Sequence, residues 1–153
     1  MGITDHLAVA DVILDLDATS KRGVLERLAS EAARRSERDE TEILDALRER
    51  ERLGSTALGR GVALPHAPLK GNPPPLALFA RLRRPIDFEA RDEEPVDLVI
   101  LVLWPEASLE GFLPTLSDTC RSLREPQVLR HLRSAKAAED VVALLAGPSP
   151  AAT

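Results

Sequence analysis

Tyrosine is absent, cysteine occurs once, and one tryptophan stands beside three phenylalanines. A single cysteine cannot close an internal disulfide or build a cysteine-based zinc site. With so few rings, and 25 acidic against 20 basic side chains for a net charge of −5, the chain lacks the stacking platforms and basic grooves of a nucleic-acid binder. Histidine occurs three times, so imidazole chemistry has at most three candidates. Long apolar runs are also missing. The strongest, Val96 to Trp104, is interrupted by Asp97 and falls far short of the ~20 residues of a membrane span. Met1 to Ala10 contains Asp5 and lacks the basic start and apolar stretch of a signal peptide. These absences predict a cytoplasmic chain that is not membrane-embedded, with Cys120 a reduced thiol.

What is present points to a globular domain. The chain has 153 residues, of which 44% are hydrophobic and 29% charged, which suits one domain with its own core. Residues 1–146 are expected to form it, with 147–153, rich in proline and alanine, a flexible tail. Apolar patterning alternates between two periods. Val12 to Leu16 reads as a strand. Ser20 is placed to cap a helix carrying Val24, Leu25, Leu28, Ala29 and Ala32 on one face. Asp39 and Glu42 have capping-box spacing ahead of a second helix with Ile43, Leu44 and Leu47 inward. Val62–Leu64 and Leu76–Ala80 read as short buried strands, and Val96–Trp104 as a central strand covered on both faces. Beyond Pro105 the period is helical again, with the main helix expected to begin near Leu113 so that Pro114 lies in its first turn. Pro126 opens a further helix, and Glu139 to Leu145 closes the chain. Such interleaving predicts an α/β domain, a three-layer sandwich with a mixed sheet flanked by helices.

Candidate chemistry gathers between Arg50 and Lys70. Gly54, Gly59 and Gly61 let the backbone turn tightly and expose its N–H groups. Ser55 and Thr56 bring hydroxyls beside the bend. Arg50 continues the helical face of Ile43 and Leu47, so it points inward. His66 is held between Pro65 and Pro68 at a strand edge, where functional side chains are often presented. Phosphoryl transfer through histidine needs only these parts. Neutral imidazole is a good nucleophile, and with a pKa near 6.5 roughly three quarters of it is neutral at pH 7. Backbone N–H groups, hydroxyls and an arginine can stabilise the transferring group, without metal, cofactor or catalytic acid. The residues alone leave plainer roles open. A lone histidine in a Pro/Gly loop also serves as a surface or packing residue, and an inward arginine as a structural ion pair. His6 and His131 read as exposed bystanders, and Cys120 as a core residue. Asp87, Glu89, Asp92, Glu93 and Glu94 read as a solvated loop face with no metal-ligand spacing.

The same segment resembles the enzyme IIA domains of the bacterial phosphotransferase system, fructose/mannitol type, and most of all their nitrogen-regulatory branch. The resemblance rests on Arg50-Glu51, Gly54-Ser55-Thr56 and Leu58-Gly-Arg-Gly-Val-Ala-Leu-Pro-His66, with Pro85-Ile-Asp-Phe88 and Pro95-Val-Asp-Leu98 downstream. It covers nearly the whole chain. It implies a phosphohistidine at His66, formed from a histidine phosphocarrier protein, with Arg50 stabilising the phosphoryl charge. It implies binding positions at Ser55, Thr56, Gly61, Pro65 and Phe112. Phe112 falls where the family often has a second active-site histidine, and Ala57 and Ala67 replace small residues of the pattern. The regulatory branch acts on targets such as potassium-transport regulators or sensor kinases according to phosphorylation state. With no transporter segment attached, the chain is expected to be such a regulatory phosphocarrier. Two alternatives stand beside it: a binding module that keeps the fold without phosphorylation, and a sugar-uptake IIA acting with a separate membrane permease.

Overall fold

The apolar run at Val96–Pro105 becomes the central strand of a six-stranded mixed sheet. The computed structural model describes residues 7–71 and 73–146, without the side chains at 108, 109, 111 and 112. His6 and the tail 147–153 lie outside the described residues. In chain order the elements are β1 (Val12–Leu16), α1 (Lys21–Ser36), α2 (Glu40–Arg52), β2 (Ala57–Gly59), β3 (Val62–Ala63), β4 (His66–Leu69), β5 (Leu76–Ile86), β6 (Val96–Pro105), α3 (Leu109–Ser122), α4 (Pro126–Ser134) and α5 (Ala138–Ala146). The strand order is β1-β5-β6-β3-β2. β5 runs antiparallel to β6, whereas β3 and β4 run parallel to it along its other edge. Leu64 and Pro65 join those two short strands, and the Val102 N–H donates to the Pro65 carbonyl at 3.0 Å, so the ladder is not lost at the proline.

Alternation along β6 divides the core. Val99, Leu101 and Leu103 face α1 and α2, while Leu98, Ile100, Val102 and Trp104 face α4 and α5. Both faces are covered, which explains why this strand reads as one continuous apolar run. The three-layer α/β arrangement expected from the alternating patterns is therefore the one found. On α1, Ser20 Oγ accepts from the Gly23 N–H at 3.0 Å, and Val24, Leu25, Leu28, Ala29 and Ala32 are buried. Burying a leucine such as Leu28 or Leu47 fully contributes about 1.5–3 kcal/mol. Arg81 on β5 closes the sheet onto α4, its Nη1 donating to the carbonyls of Leu132 at 3.1 Å and Ala135 at 2.6 Å, where a helix end leaves acceptors unpaired.

Two local expectations are corrected. The Asp39–Glu42 capping box does not form: Asp39 makes no side-chain cap, and Glu42 is taken by Arg38, one turn back, in an ion pair at 2.5 Å. Helix α3 begins at Leu109, so Pro114 lies inside it and the Glu110 carbonyl lacks its usual N–H donor. Leu113 is 55% exposed, and the inward stripe of that helix starts at Leu116. His131 and the five acidic residues from Asp87 to Glu94 are exposed as expected, and Cys120 is half-buried.

Candidate functional site

His66 is the first residue of β4, not a loop residue after a strand. Its backbone pairs with Val102, and its side chain lies on the sheet face of Leu64 and Trp104. The imidazole is held from three directions. Nδ1 lies 2.7 Å from the Leu64 carbonyl, an acceptor only, so Nδ1 carries the proton and donates it. That leaves Nε2 with its lone pair, and Arg50 Nε donates to it at 3.4 Å. The ring stacks on the Trp104 indole, with centroids 5.7 Å apart and planes 20° apart. Burial pushes the His66 pKa below the ordinary histidine value, and the Arg50 charge adds to this. The hydrogen bond to the Leu64 carbonyl, second in size to burial, opposes them, as does the Glu51 carboxylate. The ring is thus a neutral imidazole with its nucleophilic nitrogen named by geometry.

Arg50 comes from the last turn of α2. Its place follows from the Ile43–Leu47 stripe, both residues being fully buried. The chain then turns at Gly54, whose φ of 147° is open only to glycine, and the Gly54 carbonyl accepts from Arg50 Nη1 at 3.0 Å. The guanidinium is aimed at His66 by its own helix end. Ser55 and Thr56 follow, and their hydroxyl protons are committed elsewhere. Ser55 Oγ donates to the Phe88 carbonyl at 2.7 Å and accepts from the Ala57 N–H at 3.1 Å. Thr56 Oγ1 donates to Glu51, whose other oxygen accepts from the Thr56 N–H at 3.1 Å and pairs with Lys21 Nζ at 2.9 Å. Both residues therefore build the turn beside His66 and keep only acceptor capacity for a ligand.

These groups line one cleft of about 610 Å³, which holds Arg50, Ser55, Thr56 and His66 together. Its opposite wall is α3 and the turn after it, through Leu113, Ser117, Cys120, Arg121 and Arg124. Among the described residues, three arginines and no carboxylate line it, in a chain whose net charge is −5. Such a cleft concentrates anions. Burial pushes the Cys120 thiol up, so it stays protonated. Pro65 is not among the residues lining the cleft; its carbonyl accepts from the Val102 N–H beside the site. Gly61 is not brought here: it lines a separate hollow with Asp97 and Arg133. Phe112 lies on α3, its side chain outside what is described. Among the described residues, no group of three or more histidine, cysteine or acidic side chains could hold a metal ion, and no helix is long and apolar enough to cross a membrane.

One ring nitrogen is thus held by the backbone and the other faces an arginine and the cleft. Residues 5–147 match the family described as phosphoenolpyruvate-dependent sugar phosphotransferase system, EIIA 2. The chain belongs to this EIIA family. Its members carry phosphoryl groups and work with phosphocarrier and IIB partners. A nitrogen regulatory protein of Bradyrhizobium diazoefficiens is 40% identical over 148 residues, covering 97% of each chain. A fructose-specific EIIA component of Haloferax volcanii is 35% identical, over 95% of this chain and 97% of its own. The crystal structure of the nitrogen regulatory protein IIA-Ntr from Neisseria meningitidis superposes with a TM-score of 0.88 at 31% identity, over 94% of this chain and 98% of that one. This EIIA chain is thus similar over nearly its whole length to nitrogen regulatory proteins as well as to a fructose-specific component.

Residue patterns missed several parts of the site. Trp104 read as the end of a buried strand, and only the β4–β6 register places it against His66. Arg121 and Arg124, which line the cleft, belong to no motif of the sequence. Glu51 lies beside Arg50 in the sequence, yet its link to Lys21 crosses between two helices and has no local signature.

Proposed function

We infer that this EIIA protein is a regulatory phosphocarrier in which His66 accepts a phosphoryl group from a histidine phosphocarrier protein. The observation that carries the reading is the pair of contacts on one ring: Nδ1–H to the Leu64 carbonyl, and Nε2 turned to Arg50 and the cleft. In the transfer, the Nε2 lone pair attacks phosphorus and a new N–P bond forms. The N–P bond to the donor's imidazole breaks, and its electron pair stays on the donor nitrogen. No proton has to leave Nε2. The positive charge that develops on the His66 ring is shared with Nδ1–H, which the Leu64 carbonyl already accepts. Arg50 moves its hydrogen bond from the ring nitrogen to a phosphoryl oxygen, which is the positioning and charge stabilisation this chemistry needs. The bound phosphoryl adds about −1.5 to −2 charges to the cleft, enough to change which surface docks there. Partners that bind according to phosphorylation state, of the potassium-transport regulator or sensor-kinase kind, are the targets this reading supports.

The test is a phosphoenolpyruvate-driven relay ending in a histidine phosphocarrier protein. The chain should take up an acid-labile, base-stable label, and His66→Ala should take up none. Label persisting in that variant overturns the assignment. The likeness to a fructose-specific component favours one second reading, delivery of the phosphoryl group to a sugar through a separate permease. Phosphorylated protein added to permease-bearing membranes would then yield sugar phosphate, whereas the regulatory reading expects none. A binding module without transfer is the outcome if no label is taken up and target binding is unchanged in His66→Asp.

A further inference from the structure

We propose that Trp104 is a positioning residue for His66, the floor on which the imidazole is held with Nε2 facing the cleft. The proposal rests on the phosphocarrier reading for its purpose, but its geometry stands apart from it. Trp104 is 3% exposed and is the only tryptophan in the chain. In the β4–β6 register, His66 pairs with Val102 and Trp104 pairs with Pro68. Trp104 is therefore a diagonal neighbour of His66, a separation on the order of 7–8 Å that aromatic and long side chains bridge and short ones do not. The indole bridges it, lying nearly parallel to the imidazole at 5.7 Å between centroids.

The ring needs such a floor. The torsion that sets which edge of an imidazole points where is broad and roughly two-fold. The Leu64 carbonyl selects one edge, but that acceptor is only two residues away on the same chain. One local hydrogen bond does not stop the ring tilting out of the cleft. A flat indole beneath closes the space into which it would tilt, and excludes water from that side. The charged and titratable groups around the ring are Arg50 and Glu51 on α2, with Cys120, Arg121 and Arg124 at the far wall. None of them lies under the ring as Trp104 does.

The test uses the unphosphorylated protein first. In the wild type, imidazole nitrogen shifts should report one tautomer, with the proton on Nδ1. Indole emission should change with pH at the His66 pKa, because a protonated imidazole quenches a stacked indole, and that change should vanish in His66→Ala. In Trp104→Leu, the nitrogen shifts should move toward a mixture of tautomers, and the pKa should rise toward the ordinary value as water reaches the ring. Trp104→Phe, which keeps a flat ring, should recover most of the wild-type tautomer. Phosphoryl uptake should slow about 10- to 100-fold in Trp104→Leu, the scale of a small misplacement of a reacting group. A Trp104→Leu protein that melts cooperatively and keeps both the wild-type tautomer and uptake rate overturns the proposal. If Trp104→Leu fails to fold, Trp104→Phe and the wild-type emission titration decide it: no pH response at the His66 pKa overturns it. If no protein takes up label, the phosphocarrier reading falls, while the tautomer comparison still judges Trp104.

Discussion

Arg50 Nε sits 3.4 Å from His66 Nε2, the ring nitrogen not already committed to the backbone. The two side chains come from opposite layers of the fold, a helix on one sheet face and a strand side chain on the other, and meet at the edge where β3 gives way to β4. The arginine is also tied to Gly54, so it is aimed before any ligand arrives.

Arg50→Ala should therefore slow phosphoryl uptake by roughly 100-fold, the cost of removing one preorganised donor from a developing charge. Its stability cost should be about 0.5–1.5 kcal/mol, the worth of a single hydrogen bond. Single-turnover uptake and a thermal melt together check this. A loss near the 2–5 kcal/mol of a core truncation would instead assign Arg50 a structural role.

The low His66 pKa predicts a pH dependence with a definite sign. Only neutral imidazole attacks, so uptake should stay level below pH 6.5 and decline only when pH falls through the depressed value. Stability follows the same group. Between the folded-state pKa and about 6.5 the unfolded chain binds more protons, so stability rises with pH across that window and is level above it. Melts at acidic and neutral pH should show this slope in the wild type, and His66→Ala should lack that part of it.

Thr56 tests the buried polar link behind the site. Thr56→Val removes the hydroxyl that donates to Glu51 in a position only 4% exposed. The carboxylate keeps Lys21 and the Thr56 N–H, so the loss should be roughly 1–3 kcal/mol rather than unfolding. Urea denaturation measures it. Uptake by the variant should fall less than in Arg50→Ala, because the hydroxyl proton is spent on Glu51.

Gly61→Ala separates architecture from chemistry. Gly61 has φ of 82°, and a Cβ there would sit 2.4 Å from Arg133 Nη2 and 3.0 Å from Asp97 Oδ1. Left-handed backbone costs a side chain roughly 1–2 kcal/mol, and the Arg133–Asp97 pair must also move. The midpoint of thermal unfolding should drop, while uptake below that temperature should match the wild type. A selective loss of uptake with an unchanged melt would restore Gly61 to the binding site.

Much of the fold was legible because the two apolar periods are clean. Val24 to Ala32 repeats at helical spacing, and Val96 to Trp104 is apolar on both faces. What escaped depended on partners far along the chain. β4 was hidden by Pro65 and Pro68, residues that argue against a strand. It exists because β4 pairs on one side only, so the missing Pro68 N–H costs no ladder bond it would have made elsewhere. Glu42 had the spacing of a capping residue, yet Arg38 lay one turn away and took it. His66 and Arg50 stood out because their surroundings fix the backbone locally. The uses of Ser55 and Thr56 did not, since Phe88, which accepts from Ser55, is 33 positions away, and Glu51, which accepts from Thr56, is itself held by Lys21 on another helix.

The way β4 is mounted has a consequence for what a visiting protein could sense. The His66 ring is fastened by its backbone to the central strand, by Nδ1 to a carbonyl and by one face to an indole. A group added at Nε2 cannot swing such a ring or shift the sheet beneath it. Under the proposed phosphorylation the message would be electrical rather than mechanical: a concavity walled by three cations would have most of its positive charge cancelled and hold carboxylates more weakly, with hardly an atom of the framework displaced.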